Sequence, residues 1–306
     1  VYVLVLTLVS AATRLALVAA LGLNASALSE TTAGFVLQAV ILFASAALVG
    51  WACGRLLEDL PWRALGWALH GGWLSNWMKG SLVGSLSLML AALIVLAGRG
   101  FHFTFVTTAA LLPAVGKTLL VSALVFVLAA AAEEVLFRGY PLQTMTRARL
   151  AWLGLFLTSV PFAAVHLGNP NVVPVFTFLN TALAGVWLGV AYLRTRSLWF
   201  PLGLHWAWNW TMGAVLGLPV SGIERLTPAP LFRAIDTGPA WLTGGSYGIE
   251  GGAACTLALV LSTLFVWRTR LVGATEGMRR LTDSEIPKTE ERVRLYDPLA
   301  GDDQSV

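Results

Sequence analysis

The stretch LLVSALVFVLAAAAEEVLFR, residues 119–138, decides the fold of this sequence. Its first part, up to Ala132, carries no charge, as expected for a helix inside a lipid bilayer. It then closes with two glutamates, Glu133 and Glu134, and with Arg138. An ionisable side chain inside hydrocarbon is costly and indicates a functional site. The stretch therefore predicts a membrane helix that carries chemistry.

The composition extends this prediction to the whole chain. Of the 306 residues, 57% are hydrophobic and 12% are charged, and the mean hydropathy is +0.74. Ordinary soluble domains carry about 25% charged residues, so this composition excludes a water-soluble globule. The net charge of +4 is explained by basic cytoplasmic loops. We therefore expect the lipid bilayer as a partner, and no nucleic acid.

We interpret eight apolar segments as membrane spans, since a bilayer core of about 30 Å needs about 20 residues of helix. They lie near residues 1–23, 33–53, 81–98, 116–137, 150–167, 172–193, 199–218 and 253–271. The predicted fold is all-α, a polytopic membrane bundle of about eight transmembrane helices. Lysine and arginine concentrate after the second, fourth and sixth spans and in the C-terminal tail. The positive-inside rule then predicts a multi-pass protein of the cytoplasmic membrane with both termini in the cytoplasm.

Four parts follow along the chain. Residues 1–110 hold the N-terminal spans and a Trp-rich segment, 54–80, that we expect to lie on the membrane surface. Residues 111–220 form the core that carries the chemistry, and residues 221–272 form a Gly/Pro-rich loop and the last span. Residues 273–306 are a polar cytoplasmic tail without hydrophobic periodicity, predicted to be disordered.

Helical spacing predicts how the charged groups of the fourth span are used. Glu134 and Arg138 are four residues apart, so they can pair on one face of the helix. Glu133 is turned about 100° away from Glu134 and is free to point into the bundle. Phe162 and His166 end the fifth span with the same spacing of four residues.

Depth in the membrane can be estimated for two of these groups. If the fourth and fifth spans form a hairpin that turns near residues 149–150, Glu133 and His166 lie at the same level. The seventh span adds His205 and Asn209, also four residues apart. A carboxylate beside a histidine can deprotonate water, and a second histidine with an amide can stabilise an oxyanion. These residues predict acyl hydrolysis by water without a Ser or Cys nucleophile.

The three motifs in this order resemble a known family. Glu133-Glu134-x-x-x-Arg138, Phe162-x-x-x-His166 and His205-x-x-x-Asn209 look like the motifs of the CPBP family. That family groups the type II CAAX prenyl proteases, of the Ras-converting-enzyme type, with bacteriocin self-immunity proteins of the Abi group. The resemblance covers roughly residues 116–215.

The resemblance implies an intramembrane endopeptidase that cuts a peptide or a membrane-protein substrate. In it, Glu133 activates water with His166, and His205 with Asn209 stabilises the oxyanion. Glu134, Arg138 and Phe162 would support that site. We favour hydrolysis without a cofactor. Zn²⁺ is the alternative, with Glu133, His166 and His205 as its ligands.

Two other functions stay open at this point. The first is a non-enzymatic membrane scaffold or a bacteriocin-immunity protein, and the second is a proton-coupled transporter that uses Glu133 and His166 as a relay. Gly185 and Gly189 are interpreted as sites of close helix packing, as is Asn180. Glu250 lies in a Gly-rich loop and resembles a feature seen before the last helix in some relatives of that family, but it is not counted among the site residues.

Overall fold

The computed structural model is an all-α bundle with one small sheet, and it describes residues 2–21, 31–105 and 108–282. The helices are α1 (Tyr2–Leu21), α2 (Thr32–Glu58), α3 (Trp73–Ala97), α4 (Leu112–Glu134), α5 (Tyr140–Arg147), α6 (Ala151–His166), α7 (Pro174–Thr195), α8 (Trp199–Trp210), α9 (Ala240–Thr243), α10 (Ala253–Arg268) and α11 (Glu276–Thr282). Strands β1 (Phe101–Phe105) and β2 (Phe232–Asp236) pair in antiparallel fashion. The predicted polytopic helical class is confirmed.

Fewer than eight helices of the described residues are long and apolar enough to cross a membrane. Among the described residues, five helical stretches are long and apolar enough to cross a membrane: α1, α2, α3, α4 continued through α5, and α7. Helices α6 and α10 are apolar but have 16 residues each. Helix α8 has 12 residues. A helix lies in every predicted segment, but eight full crossings are not established.

Two predicted boundaries differ from the structure. Helix α3 begins at Trp73, where residue 81 was expected, so the segment 54–80 is largely helical. Asn76 and Lys79 lower the hydropathy of this first part of α3, so a search for apolar segments leaves it out. In the predicted disordered tail, residues 276–282 form α11, and Met278 is buried. The remainder of the tail, 283–306, lies outside the described residues.

Small residues set the closest helix contacts. A Cβ atom on Gly84 of α3 would lie 2.3 Å from the carbonyl oxygen of Leu204 in α8. Similarly, a Cβ atom on Gly203 would lie 2.2 Å from the carbonyl oxygen of Trp77. The backbones of α3 and α8 therefore touch, and this contact fixes α8 at the centre of the bundle.

The predicted close packing at Gly185 and Gly189 is confirmed. A Cβ atom on Gly185 of α7 would lie 2.8 Å from the Cα atom of Ser159 in α6. One on Gly189 would lie 2.3 Å from a methyl group of Leu155. Helices α6 and α7 therefore approach each other more closely than larger residues would allow.

Candidate active site

The first part of the site is built at the end of α4. A π-helical turn, Val135–Gly139, joins α4 to α5, a distortion that is frequent at functional sites. Across this turn, Nη1 of Arg138 donates to Oε1 of Glu134 at 3.1 Å, and both side chains are fully buried. The predicted pair is confirmed. A buried charge needs such a partner, because an unpaired one is strongly destabilising.

Arg138 also connects three helices. Its Nη2 donates to the carbonyl oxygen of Gly185 in α7 at 3.1 Å. Its Cζ atom lies 4.6 Å from the centroid of the Phe162 ring of α6, a cation–π distance. Arg138 therefore holds the end of α4 against both neighbouring helices.

His205 of α8 lies between the two glutamates. Its Nδ1 is 2.9 Å from Oε1 of Glu134, and its Nε2 is 3.6 Å from Oε2 of Glu133. Glu134 is paired with Arg138 as a carboxylate and can only accept, so Nδ1 of His205 is the donor. Oε2 of Glu133 is buried and accepts no hydrogen bond from any described residue. The Glu133 side chain as a whole is 27% exposed, and its exposed part can meet a ligand or water in the cavity.

His166 is oriented by its own helix. Its Nδ1 is 2.7 Å from the carbonyl oxygen of Phe162, one turn earlier. A carbonyl only accepts, so Nδ1 carries the proton and a neutral His166 presents Nε2 as an acceptor. The Phe162 ring lies 4.7 Å from the His166 ring and 6.2 Å from the His205 ring, measured between centroids. Phe162 thus forms a wall shared by the two histidines.

One cavity of about 220 Å³ brings the predicted residues together. Glu133, His166, His205 and Asn209 all line it. Within the described parts of the chain, Glu133 makes its ion-pair contact with His205 and not with His166. The Asn209 side chain makes no hydrogen bond to another described residue, so its amide is available to a ligand. We call Glu133, His166 and His205, together with the buried pair Glu134 and Arg138 behind them, the helix side of the cavity.

A second part of the cavity wall is formed by residues to which the sequence analysis assigned no catalytic or binding role. The Glu250 carboxylate accepts from Nε1 of Trp208 at 3.0 Å, and from the backbone N–H and the hydroxyl of Ser221 at 2.8 Å each. Asn180, interpreted as a packing residue, donates to the carbonyl oxygens of Glu250 at 2.8 Å and of Gly252 at 2.9 Å. We call Asn180, Trp208, Ser221 and Glu250 the loop side of the cavity. The available signal was composition, because few carboxylates precede the tail.

A second cavity, of about 370 Å³, adjoins the first. It lies between α1, α2 and α4, and Phe35, Ala129 and Glu133 line both cavities. Arg14, near the middle of α1, lines the second cavity but not the first. Glu133 is therefore reached from two directions.

A zinc site does not fit the side chains as they are arranged. Among the described residues, no group of three His, Cys, Asp or Glu side chains is placed to hold a metal ion. This includes Glu133, His166 and His205, the set considered for Zn²⁺. We therefore route no chemical step through a metal.

Part of the chain is similar to known proteins. Residues 115–211 match a family model described as type II CAAX prenyl endopeptidase Rce1-like, and that segment includes Glu133, His166, His205 and Asn209. A protein of Escherichia coli described as an uncharacterized 24.3 kDa protein is 35% identical over 96 residues, which are 30% of this chain and 42% of the relative. The chain thus matches less than half the length of this curated relative. No solved structure matches. The predicted resemblance to the CPBP and CAAX-protease family is confirmed by the family match.

Proposed function

We propose that this chain is an intramembrane endopeptidase of the CAAX-protease type that hydrolyses a peptide bond with water activated by Glu133. One observation carries the proposal. The Glu133 side chain, which is 27% exposed, lines a cavity that two histidines and an available amide also line. The family match over residues 115–211 supports the same class of reaction.

In the proposed reaction, Glu133 is the general base. Water bound in the cavity gives a proton to the Glu133 carboxylate as its oxygen attacks the substrate carbonyl carbon. Nε2 of His166 accepts the second hydrogen bond of that water and orients it. When the tetrahedral intermediate collapses, the carbon–nitrogen bond breaks and Glu133 returns the proton to the leaving amine.

His205 and Asn209 stabilise the negative charge that develops on the carbonyl oxygen. A protonated His205 donates from Nε2, and Asn209 donates from its amide nitrogen. Glu134 fixes the orientation of His205 through Nδ1, and Arg138 fixes Glu134. Such a supporting layer keeps the donors in place before the substrate arrives.

Substrate reaches Glu133 from the bilayer in this proposal. The second cavity is lined largely by apolar side chains of α1, α2 and α4, and it shares Glu133 with the first. A membrane-embedded peptide segment could thus enter sideways without crossing the loops. The protein is proposed to lie in the cytoplasmic membrane with both termini in the cytoplasm.

The first test compares protein termini in membranes from cells that carry either the wild type or Glu133→Gln. Removal of the base is expected to lower cleavage by about 10² to 10⁴-fold, while the protein level is unchanged. Glu224→Gln, a change at an exposed glutamate, is the matched control and should cleave as the wild type does. Mass spectrometry of new termini provides the readout.

Unchanged termini in the Glu133→Gln cells would contradict the proposal and favour a binding scaffold. A chelator tests the metal alternative on the same purified protein. We expect cleavage to persist, because the described side chains form no three-ligand set.

A further inference from the structure

The loop side of the cavity carries a negative charge that the proposed reaction does not use. Glu250 lines the same cavity as Glu133, and both of its oxygens accept hydrogen bonds. All three donors to the carboxylate are neutral groups. Among the described residues, Glu250 forms no ion pair. Its charge is therefore hydrogen-bonded but not neutralised by the protein.

The rest of the cavity wall does not balance this charge. The described lining includes Glu133 and Glu250, and it contains neither lysine nor arginine. A protonated His205 offsets one of the two carboxylates, and Arg138 lies outside the lining, buried in its pair with Glu134. A cavity with low-dielectric walls and an excess of one sign of charge attracts the opposite sign.

The hydrogen bonds to Glu250 leave room for one more donor. The indole N–H of Trp208 donates to Oε1, and the backbone N–H and hydroxyl of Ser221 donate to Oε2. The Trp208 ring is itself buried against Trp187, with ring centroids 5.7 Å apart, so it holds the carboxylate in place. A carboxylate has about four lone pairs, and the one that remains can accept a further N–H.

We propose that the loop side of the cavity is a subsite for a positively charged group of the substrate, held by the Glu250 carboxylate. The group is a lysine or arginine side chain, or a free amino group. This inference rests on the proposed function, because it assigns specificity to the same cavity. It predicts that the preferred peptides carry a basic group close to the bond that is cut.

The test measures peptide binding to full-length protein in nanodiscs of zwitterionic lipid. The Glu133→Gln variant serves as the parent, since it removes turnover and the other carboxylate of the cavity lining. The probes are acetylated peptides of Ala and Leu with one Lys, moved along the sequence, and matched peptides with norleucine in its place. A third set has norleucine and a free amino terminus. Fluorescence polarisation of a neutral C-terminal dye reports the Kd.

At the best position, the Lys peptide is expected to bind about tenfold more tightly than its norleucine partner. Addition of Glu250→Gln should abolish that preference and leave norleucine binding unchanged. Addition of Glu224→Gln, on the same loop but exposed, should retain it. Tighter binding of the free-amine set alone would assign the subsite to an amino terminus.

Equal affinities of Lys, free-amine and norleucine peptides for the parent would overturn the inference, as would a preference that survives Glu250→Gln. The first comparison needs no change at Glu250, so it holds even if that variant fails to fold. Binding is also separate from cleavage. A charge preference without any cleavage would contradict the proposed endopeptidase, and cleavage without a preference would contradict only the subsite.

Discussion

The two sides of the cavity hold their carboxylates in opposite ways. On the helix side, Glu134 is fully buried and is paired with a cation, Arg138, and with His205. On the loop side, Glu250 is held by an indole N–H and by Ser221, all neutral donors. The charge of Glu134 is balanced by Arg138 within the bundle, whereas the charge of Glu250 can be balanced by a ligand. Removal of a partner should therefore cost most on the helix side, where it leaves a bare buried charge.

The largest effect on stability is expected from Arg138→Met. This change leaves the Glu134 carboxylate buried without its cation, and we expect a loss of about 3–5 kcal/mol in unfolding free energy. Unfolding in SDS, followed by circular dichroism, measures it. The double variant with Glu134→Gln should recover part of the loss, because the charge itself is then removed.

A loss below 1 kcal/mol for Arg138→Met would break the comparison. It would mean that His205 or water compensates Glu134 as well as the arginine does.

A smaller effect is expected on the loop side from Asn180→Leu. Asn180 donates to the carbonyl oxygens of Glu250 and Gly252 and accepts from Thr256 at 2.6 Å. Leucine leaves these neutral groups without partners, at about 1–3 kcal/mol. The same SDS titration measures the change, and Thr256→Val is the control that should lose less. A loss as large as that of Arg138→Met would show that the two sides are equally critical.

The smallest effect is expected from Asp59→Asn, which tests spacing against burial. Asp59 pairs with Arg55 four residues earlier, the same spacing as Glu134 and Arg138. Here the side chains are 48% and 45% exposed, whereas those of the buried pair are 0% exposed. An exposed pair of this kind contributes about 0–1 kcal/mol. A larger loss in the SDS titration would mean that spacing, not burial, sets the contribution.

The helix side could be predicted because a helix converts spacing into position. The pair of Glu134 with Arg138 follows from the period of 3.6 residues, and Phe162 lies one turn before His166 for the same reason. The roles of Glu133, His166, His205 and Asn209 stay predictions, since geometry places them in one cavity without testing their chemistry.

The contact of His205 with both glutamates could not be predicted in the same way. The hairpin argument estimates how deep a residue lies in the membrane, but it does not tell which way the side chain points around the helix axis. It covers two helices, and therefore only Glu133 and His166. His205 reaches both glutamates from helix α8, whose backbone touches α3 at Gly84 and Gly203. That contact depends on three-dimensional packing across more than a hundred residues.

The loop side is harder still to predict from sequence. Trp208 and Glu250 are 42 residues apart, and Asn180 and Glu250 are 70 apart. Both acceptors for the side-chain amide nitrogen of Asn180 are backbone carbonyl oxygens, and every residue has one. No local pattern marks such an acceptor, and only the folded loop creates it.

The contact between α3 and α8 also bears on how the protein meets membranes of different thickness. A helix whose apolar length differs from the thickness of the bilayer can adjust by tilting or by sliding along its neighbours. Helix α8 cannot slide past α3, because Gly84 lies against the carbonyl oxygen of Leu204, next to His205. Helix α1, most of whose side chains are exposed, has no such restraint. Thinning or thickening of the bilayer is therefore absorbed at the periphery, and the depth of His205 relative to helix α3 stays constant.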